Sequence, residues 1–421
     1  MRNPVFSVIK ALAILLVVMT HAGCPSWLSV AAYQIHVPAF FICAGYFFHS
    51  ATATEEYTFL KRRFRGLYKP FVCWSVVFLL LHNLFFALGV MNEEYGNAAG
   101  GVLHPYSWHD FCQRLWSILF NMSGYDEFMA GSFWFFRALL VSSVAWVVLQ
   151  KLVRKCEGLN SPVRAASAIA AMSLLAALWL VVENLRMTGV AQGGYREIMG
   201  VFFMAVGNLL ANLKVVPRHW KDRAVAGALS LAVVVIFAVY SPSSMAWRPS
   251  LAGFLSLPLP AIAGFVLLYL MAEGICALGG KTQQWFVYLG DRTLCVFAFH
   301  LLAFKVVSLF VIAAYALPWN RLGSYPVIHG LEGAAAPFLF LLYTIVGVGL
   351  PLYVRHVWRE YTAQHPVEVR VVLNYMVRGI IAIAVFIGKM LWRCVCGVWK
   401  GVKDAGETAK DFLKAMSPRD E

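Results

Sequence analysis

The chain has 421 residues, of which 60% are hydrophobic and only 13% are charged. So little polar material excludes a soluble globular protein, because it could not cover the surface of one, and it favours a polytopic membrane protein. The formal net charge of +14 does not indicate nucleic-acid binding, because the cations recur in short loops between apolar runs.

Ten apolar stretches are long enough to cross a bilayer as helices, which predicts an all-α transmembrane bundle. They cover residues 5–21, 33–50, 70–90, 133–153, 165–182, 197–213, 224–240, 254–279, 286–313 and 335–357. A further apolar run, 378–399, has cations on both sides and suits an interfacial segment as well as an eleventh span. We therefore expect a membrane domain over 1–361 and a C-terminal cytoplasmic or interfacial segment over 362–421.

Lysine and arginine are distributed unevenly between alternate loops. The loops after the even-numbered predicted helices hold seventeen of these cations, and the opposite loops hold five. Because cytoplasmic loops carry the excess of cations, the N-terminus is predicted inside. By the same count the longest loop, 91–132, lies outside, where it either connects two helices or caps an acceptor site with aromatic side chains such as Trp108 and Trp116.

The first apolar run contains Lys10 and is followed by His21. The separation of these two residues comes to about three helical turns, so they share one helix face at ~16 Å along the axis. Ionisable groups inside a membrane segment are costly and usually functional. The pair suggests an enzyme that works across a membrane, although a lysine snorkelling to the surface and a histidine at the helix end explain it equally well.

Three further polar residues are expected at the depth of His21. His36 opens the second predicted helix, Arg137 lies four residues into the fourth, and Glu183 ends the fifth. Two histidines, an arginine and a glutamate at one depth would suit a proton-transfer site that faces outward. Ordinary polarity at a membrane interface is the alternative, and it is favoured for Arg137 and Glu183.

A cluster of cations, Lys61–Arg65, precedes Lys69 and Pro70. Arg62 and Arg65, three residues apart, would point to the same side of a helical turn. Two guanidiniums suit a phosphate-rich ligand such as a nucleotide-bearing coenzyme. Charge that only sets the topology near anionic lipid is the alternative.

His300 falls near the middle of the ninth predicted helix, where an unpaired imidazole would be costly. A structural hydrogen bond to another helix explains it as well as catalysis does. Since no His-x-x-x-His pair occurs on any predicted helix, we expect no metal site.

In chain order, these features resemble the integral-membrane acyltransferase family 3, which contains polysaccharide O-acetyltransferases, over about residues 3–357. The matching segments are Lys10 with His21, Pro38–Tyr46, Arg62 with Arg65 before Pro70, Trp134-Phe135, and Leu289–His300. The sequence departs from the family pattern at Lys10, where arginine is commoner, and at Ala44, where serine is frequent. Leu294 and Phe297 replace two aromatic hydroxyls.

The resemblance implies a multi-pass O-acyltransferase of the cell (inner) membrane. It would move an acetyl or similar small acyl group from cytoplasmic acetyl-CoA, or a related acyl-CoA, to a hydroxyl of a glycan or lipid-linked sugar at the outer face. His21 would act as general base or transient acyl carrier. Lys10 would attract the donor or stabilise developing negative charge, and Arg62 and Arg65 would bind the coenzyme phosphates. Candidates for the acceptor site or its support are His36, Trp134, Arg137, Glu183 and His300.

The alternative function is a transporter or flippase for a glycan or lipid-linked sugar. It explains the ten spans and the intramembrane cations, but it has no need of the Arg62–Arg65 pair. The lack of an internal repeat lowers the odds of an inverted-repeat transporter. A tunnel from the arginine loop to His21 would favour the enzyme, whereas Lys10 and His21 facing lipid would exclude it.

Overall fold

The computed structural model describes residues 3–48, 52–96, 104–213 and 219–366, and all regular secondary structure in these ranges is helical. The helices are α1 (Pro4–His21), α2 (Ser26–Tyr46), α3 (Ala53–Arg63), α4 (Lys69–Ala87), α5 (Trp108–Asn121), α6 (Trp134–Val153), α7 (Pro162–Val182), α8 (Tyr195–Leu213), α9 (Trp220–Tyr240), α10 (Pro258–Leu278), α11 (Gly280–Gly290), α12 (Thr293–Ala314) and α13 (Leu339–Gln364). The chain forms two compact units, Met1–Tyr353 and Val354–Glu421. The predicted segment 378–399 lies outside the described residues.

Nine helices in the described ranges are long and apolar enough to cross a membrane, which confirms the predicted transmembrane bundle. The remaining predicted span is α8, which carries an unbroken run of buried residues from Met199 to Asn208. It packs against α2, α6 and α7. Because protein rather than lipid surrounds α8, it tolerates glycine and asparagine in its middle.

Two predicted helix starts differ from the structure by seven residues each. α2 begins at Ser26, directly after Pro25, so His36 lies in the middle of this helix and does not open it. Polar residues in the first turns of α2 conceal its start from a hydropathy pattern. The ninth predicted helix is broken after Gly290, and α12 begins at Thr293. At the break the backbone of Gly290 lies directly against the backbone of α1. A Cβ on Gly290 would be 1.8 Å from the Ser7 carbonyl oxygen.

The predicted loop 91–132 contains the amphipathic helix α5, which begins at a capping box formed by Ser107 and Asp110. α5 lies beside α4. At one end, the Asn83 side chain donates to the Tyr106 carbonyl (3.0 Å) and accepts from the Tyr106 N–H (2.7 Å). At the other end, the Tyr68 hydroxyl donates to the Leu119 carbonyl (2.6 Å). At fourteen residues, α5 is too short to resemble a span.

A fully buried histidine–carboxylate pair anchors the segment after α5. His82 Nδ1 lies 2.7 Å from Asp126 Oδ2, and both side chains are completely enclosed. His82 Nε2 donates to the His104 carbonyl (2.7 Å). The second oxygen of Asp126 accepts from the backbone N–H groups of Phe128 and Met129. One buried pair therefore fixes the segments on both sides of α5 to α4.

Replacing Asp126 should lower the stability of this region. In Asp126→Ala, His82 Nδ1 and two backbone donors lose their acceptor inside the protein, which should cost about 1.5–3 kcal/mol. The matched control is Glu93→Ala, which removes the His104–Glu93 pair (2.5 Å), whose side chains are 71% and 61% exposed. Such an exposed pair contributes about 0–1 kcal/mol. Thermal unfolding of the detergent-solubilised variants measures the difference, and equal shifts would contradict the anchoring role of Asp126.

Candidate active site

A cavity of about 940 Å³ lies within the first unit. This volume is at the upper end of the range typical of ligand sites. The walls come from α1, α2, α6, the segment after α3, the connection between α9 and α10, and the start of α12. Five basic side chains contribute to the lining: Lys10, His21, His36, Arg63 and Arg248. The cavity can therefore hold an elongated ligand and offers it both cations and imidazoles.

One face of α1 forms a wall of the cavity. Lys10, Ile14, Val17 and His21 all line it, at the spacing of a single helical stripe. The structure thus brings both residues of the predicted pair into one cavity, with two apolar side chains between them. Lys10 and His21 therefore do not face lipid alone, which is the arrangement that would have excluded an enzyme.

His21 is hydrogen-bonded to His300 of α12, which does not line the cavity. His21 Nδ1 lies 2.8 Å from His300 Nε2. His300 is fully buried, and its Nδ1 lies 2.9 Å from the Phe297 carbonyl oxygen and 3.1 Å from that of Val296. The sequence allowed a structural hydrogen bond between His300 and another helix. In the structure this bond is made to His21 of α1, the predicted catalytic histidine.

Within the cluster Lys61–Arg65, the arginine that lines the cavity is Arg63, whereas Arg62 and Arg65 are exposed. α3 passes into α4 through a π-helical turn, Phe64–Tyr68, which alters the angular spacing that a regular α-helix would give. The Arg63 guanidinium stacks on the Phe59 ring at 4.9 Å. Both Arg63 and Lys10 lie within electrostatic reach of Cys43, so the two cations share one region of the cavity.

His36 also lines the cavity, from the middle of α2. Its Nδ1 lies 2.5 Å from the Ala32 carbonyl oxygen, one helical turn earlier. Because a carbonyl only accepts hydrogen bonds, Nδ1 carries the proton, and Nε2 has the lone pair in the neutral ring.

The remaining predicted site residues separate into two groups. Trp134, the first residue of α6, lines the cavity, and the Arg196 guanidinium stacks on its ring at 4.4 Å. Arg137 does not line the cavity, and its Nε lies 3.9 Å from Glu197 Oε1 of α8. Glu183 follows the last residue of α7 and is exposed. The predicted outward-facing group of four is therefore not assembled in the structure.

Sequence reasoning missed the segment 240–250, which lines the cavity as a continuous stretch. Arg196 holds this segment in place, because its Nε and Nη2 donate to the Ala246 carbonyl at 3.0 and 2.5 Å. The signal was the hydroxyl-rich run Ser241-Pro242-Ser243-Ser244 between two apolar helices. Hydroxyls and aromatic rings along one wall suit a polyhydroxylated ligand.

Tyr325, which follows α12 in the chain, also lines the cavity and had no sequence signal. Its hydroxyl lies against Gly131, where an added Cβ would come within 2.4 Å of it. Burial raises the pKa of the Tyr325 phenol above its ordinary value, so the hydroxyl stays protonated near neutral pH. Tyr325 can therefore donate a hydrogen bond to a ligand.

These features define a polytopic membrane protein with an internal site that can bind an anionic ligand and accept a proton. The acyltransferase domain family matches residues 3–356, so the chain belongs to that family, acyltransferase family 3, and is a membrane acyltransferase. This confirms the resemblance drawn from the motifs. No curated protein and no solved structure matches the chain. Among the described residues no cluster of His, Cys, Asp or Glu could hold a metal ion, and a metal-free reaction stays a prediction.

Proposed function

We propose that the protein moves an acetyl or similar small acyl group from acetyl-CoA, or a related acyl-CoA, on the cytoplasmic side to a hydroxyl of a glycan or lipid-linked sugar at the outer face of the cell (inner) membrane. The observation that carries the proposal is the single cavity lined by Lys10 and Arg63 and also by His21 and His36. With the N-terminus inside, the two cations lie toward the donor side and His21 lies toward the acceptor side.

The donor end of the cavity is suited to a coenzyme. Lys10 and Arg63 attract its phosphates, and Arg62 and Arg65 add positive charge where the ligand enters. Ile14 and Val17 then offer an apolar path along α1 for the thioester arm, over the ~16 Å between the levels of Lys10 and His21.

The acceptor enters from the opposite side, past Trp134 and the segment 240–250. His21 takes the proton of the acceptor hydroxyl as its oxygen attacks the thioester carbonyl. The carbon–sulfur bond breaks, and the coenzyme leaves as the thiol after receiving that proton. In the carrier variant, His21 Nε2 attacks the thioester carbonyl first, the carbon–sulfur bond breaks and the coenzyme leaves as the thiolate. The acyl group then passes from His21 to the acceptor hydroxyl, whose proton converts the thiolate to the thiol. Family membership favours this enzyme over the transporter.

Transfer of label from radiolabelled acetyl-CoA tests the proposal. Membranes that contain the protein should incorporate label into a glycan or lipid-linked sugar, and membranes without it should not. Absence of label, together with failure of glycan export in cells that lack the protein, would instead support the transporter.

The three arginines provide a matched series for the donor site. Arg63→Gln should raise the KM for acetyl-CoA about tenfold with kcat little changed, because one charge-assisted contact of about 1.5 kcal/mol or more is lost. Arg62→Gln and Arg65→Gln should have smaller effects, since both side chains are exposed. Initial rates over a range of acetyl-CoA concentrations measure these values. The reverse order would return phosphate binding to Arg62 and Arg65.

A further inference from the structure

We infer that His300 is a positioning residue, which fixes His21 in the tautomer that presents a basic Nε2 to the cavity. The inference rests on the proposed function in one respect, that His21 reacts with the substrates. The tautomer itself follows from the hydrogen-bond geometry.

The proton position on His300 is set by its own helix. The nearest groups to Nδ1 are the backbone carbonyls of Phe297 (2.9 Å) and Val296 (3.1 Å). A carbonyl oxygen accepts hydrogen bonds and cannot donate them, so Nδ1 of His300 must carry a proton. His300 is fully enclosed, and no carboxylate among the described residues bonds to it. Such an imidazole is neutral, because an isolated buried charge is costly. Nε2 of His300 therefore has a lone pair.

The lone pair on His300 determines the proton position on His21. The two facing nitrogens are 2.8 Å apart, so one of them must donate, and only His21 Nδ1 can. The ring centroids are 5.0 Å apart and the ring planes differ by 7°. This centroid separation is close to the largest that the short N···N distance allows, so the rings meet edge to edge in nearly one plane. That is the alignment an N–H···N hydrogen bond requires.

With its proton on Nδ1, neutral His21 carries its lone pair on Nε2. His21 lines the cavity, whereas His300 lies behind it and does not. After His21 takes a proton, its Nδ1–H still donates to His300, so the ring need not turn during the reaction. The Phe304 ring packs nearly perpendicular to the His300 ring, with the two ring centroids 5.6 Å apart, and limits the rotation of the imidazole. His300 thus acts through His21 and does not touch the substrates.

Substitutions at His300 should change kcat and leave the KM for acetyl-CoA unaltered. His300→Phe removes the acceptor, and kcat should fall about 10²-fold or more, because His21 is no longer held in one tautomer. In His300→Gln the side-chain oxygen can accept from His21 Nδ1, so part of the rate should return. The control is Ser308→Ala, which removes another buried polar group of α12, 3.1 Å from the Tyr343 hydroxyl, and should keep the wild-type rate.

Nitrogen NMR of ¹⁵N-histidine-labelled protein in nanodiscs tests the tautomer without reference to activity. The His21 signals are identified by their loss in His21→Gln. We expect a protonated Nδ1 and an unprotonated Nε2 in the wild-type protein, and loss of this preference in His300→Phe. A protonated Nε2 in the wild type, an unchanged kcat in His300→Phe, or a change confined to KM would each overturn the inference. Full transfer by His21→Gln would instead overturn the proposed role of His21, while the NMR result would stand.

Discussion

His21→Gln should reduce acyl transfer by about 10²–10⁴-fold, the usual contribution of a positioned acid–base group. Glutamine is close in size to histidine and can still bond to His300, but it neither takes up a proton near neutral pH nor carries an acyl group. The loss should therefore appear in kcat rather than as misfolding. Label transfer from acetyl-CoA at matched membrane levels measures it.

His36→Gln is the control for this experiment, because His36 lines the same cavity but its Nδ1 bonds to the Ala32 carbonyl of its own helix. We expect a smaller loss at His36, and an equal or larger one would transfer the main role to that residue. Omission of the acceptor separates the two possible roles of His21. A carrier would retain labelled acetyl on the wild-type protein and not on His21→Gln, whereas a general base would retain none on either.

Gly207→Ala should destabilise the protein severely, because α2 and α8 touch through their backbones. A Cβ on Gly207 would lie 1.9 Å from the Ile42 carbonyl oxygen, and one on Gly45 would lie 1.9 Å from that of Met204. Small residues allow such close helix packing in membranes. Asn208 adds a hydrogen bond from its side chain to the Phe48 carbonyl (3.0 Å). Even one methyl group would force the two helices apart.

We expect Gly207→Ala and Gly45→Ala each to cost on the order of 3 kcal/mol, the upper end of overpacking effects. The control is Gly274→Ala in α10, where an added Cβ meets nothing within 4 Å. Size-exclusion profiles and thermal unfolding in detergent compare the three variants. Because α2 also carries His36, any surviving Gly45→Ala protein should have reduced transfer. Equal stability of all three would show that the α2–α8 contact is looser than its geometry indicates.

The sequence predicts the spans and the α1 stripe because both depend on local patterns. Hydropathy locates the bundle, and the helical period places Lys10 and His21 on one face. Which side chains form ion pairs or hydrogen bonds across helices depends on tertiary packing. No local sequence pattern therefore indicates that Arg137 pairs with Glu197 or that His300 bonds to His21. Arg63 lies on a different face of α3 from Arg62, and the face that meets the cavity depends on how α3 packs against α6, which a helical wheel does not show. α5 is too short and too polar at its start to be distinguished from a loop.

The bond between His21 and His300 joins residues 279 positions apart, and Ser7 reaches Asp291 across 284. α1 is synthesised long before α12, so it completes these contacts only after α12 has been made. At a synthesis rate of ~5–20 residues per second, His21 waits roughly 15–55 s for its partner. During this interval α1, with Lys10 inside it, can pack only against segments made before α12, such as α2. Assembly of the proposed reactive centre is therefore a late event in biogenesis, and a chain that stops before α12 would lack the bond between His21 and His300.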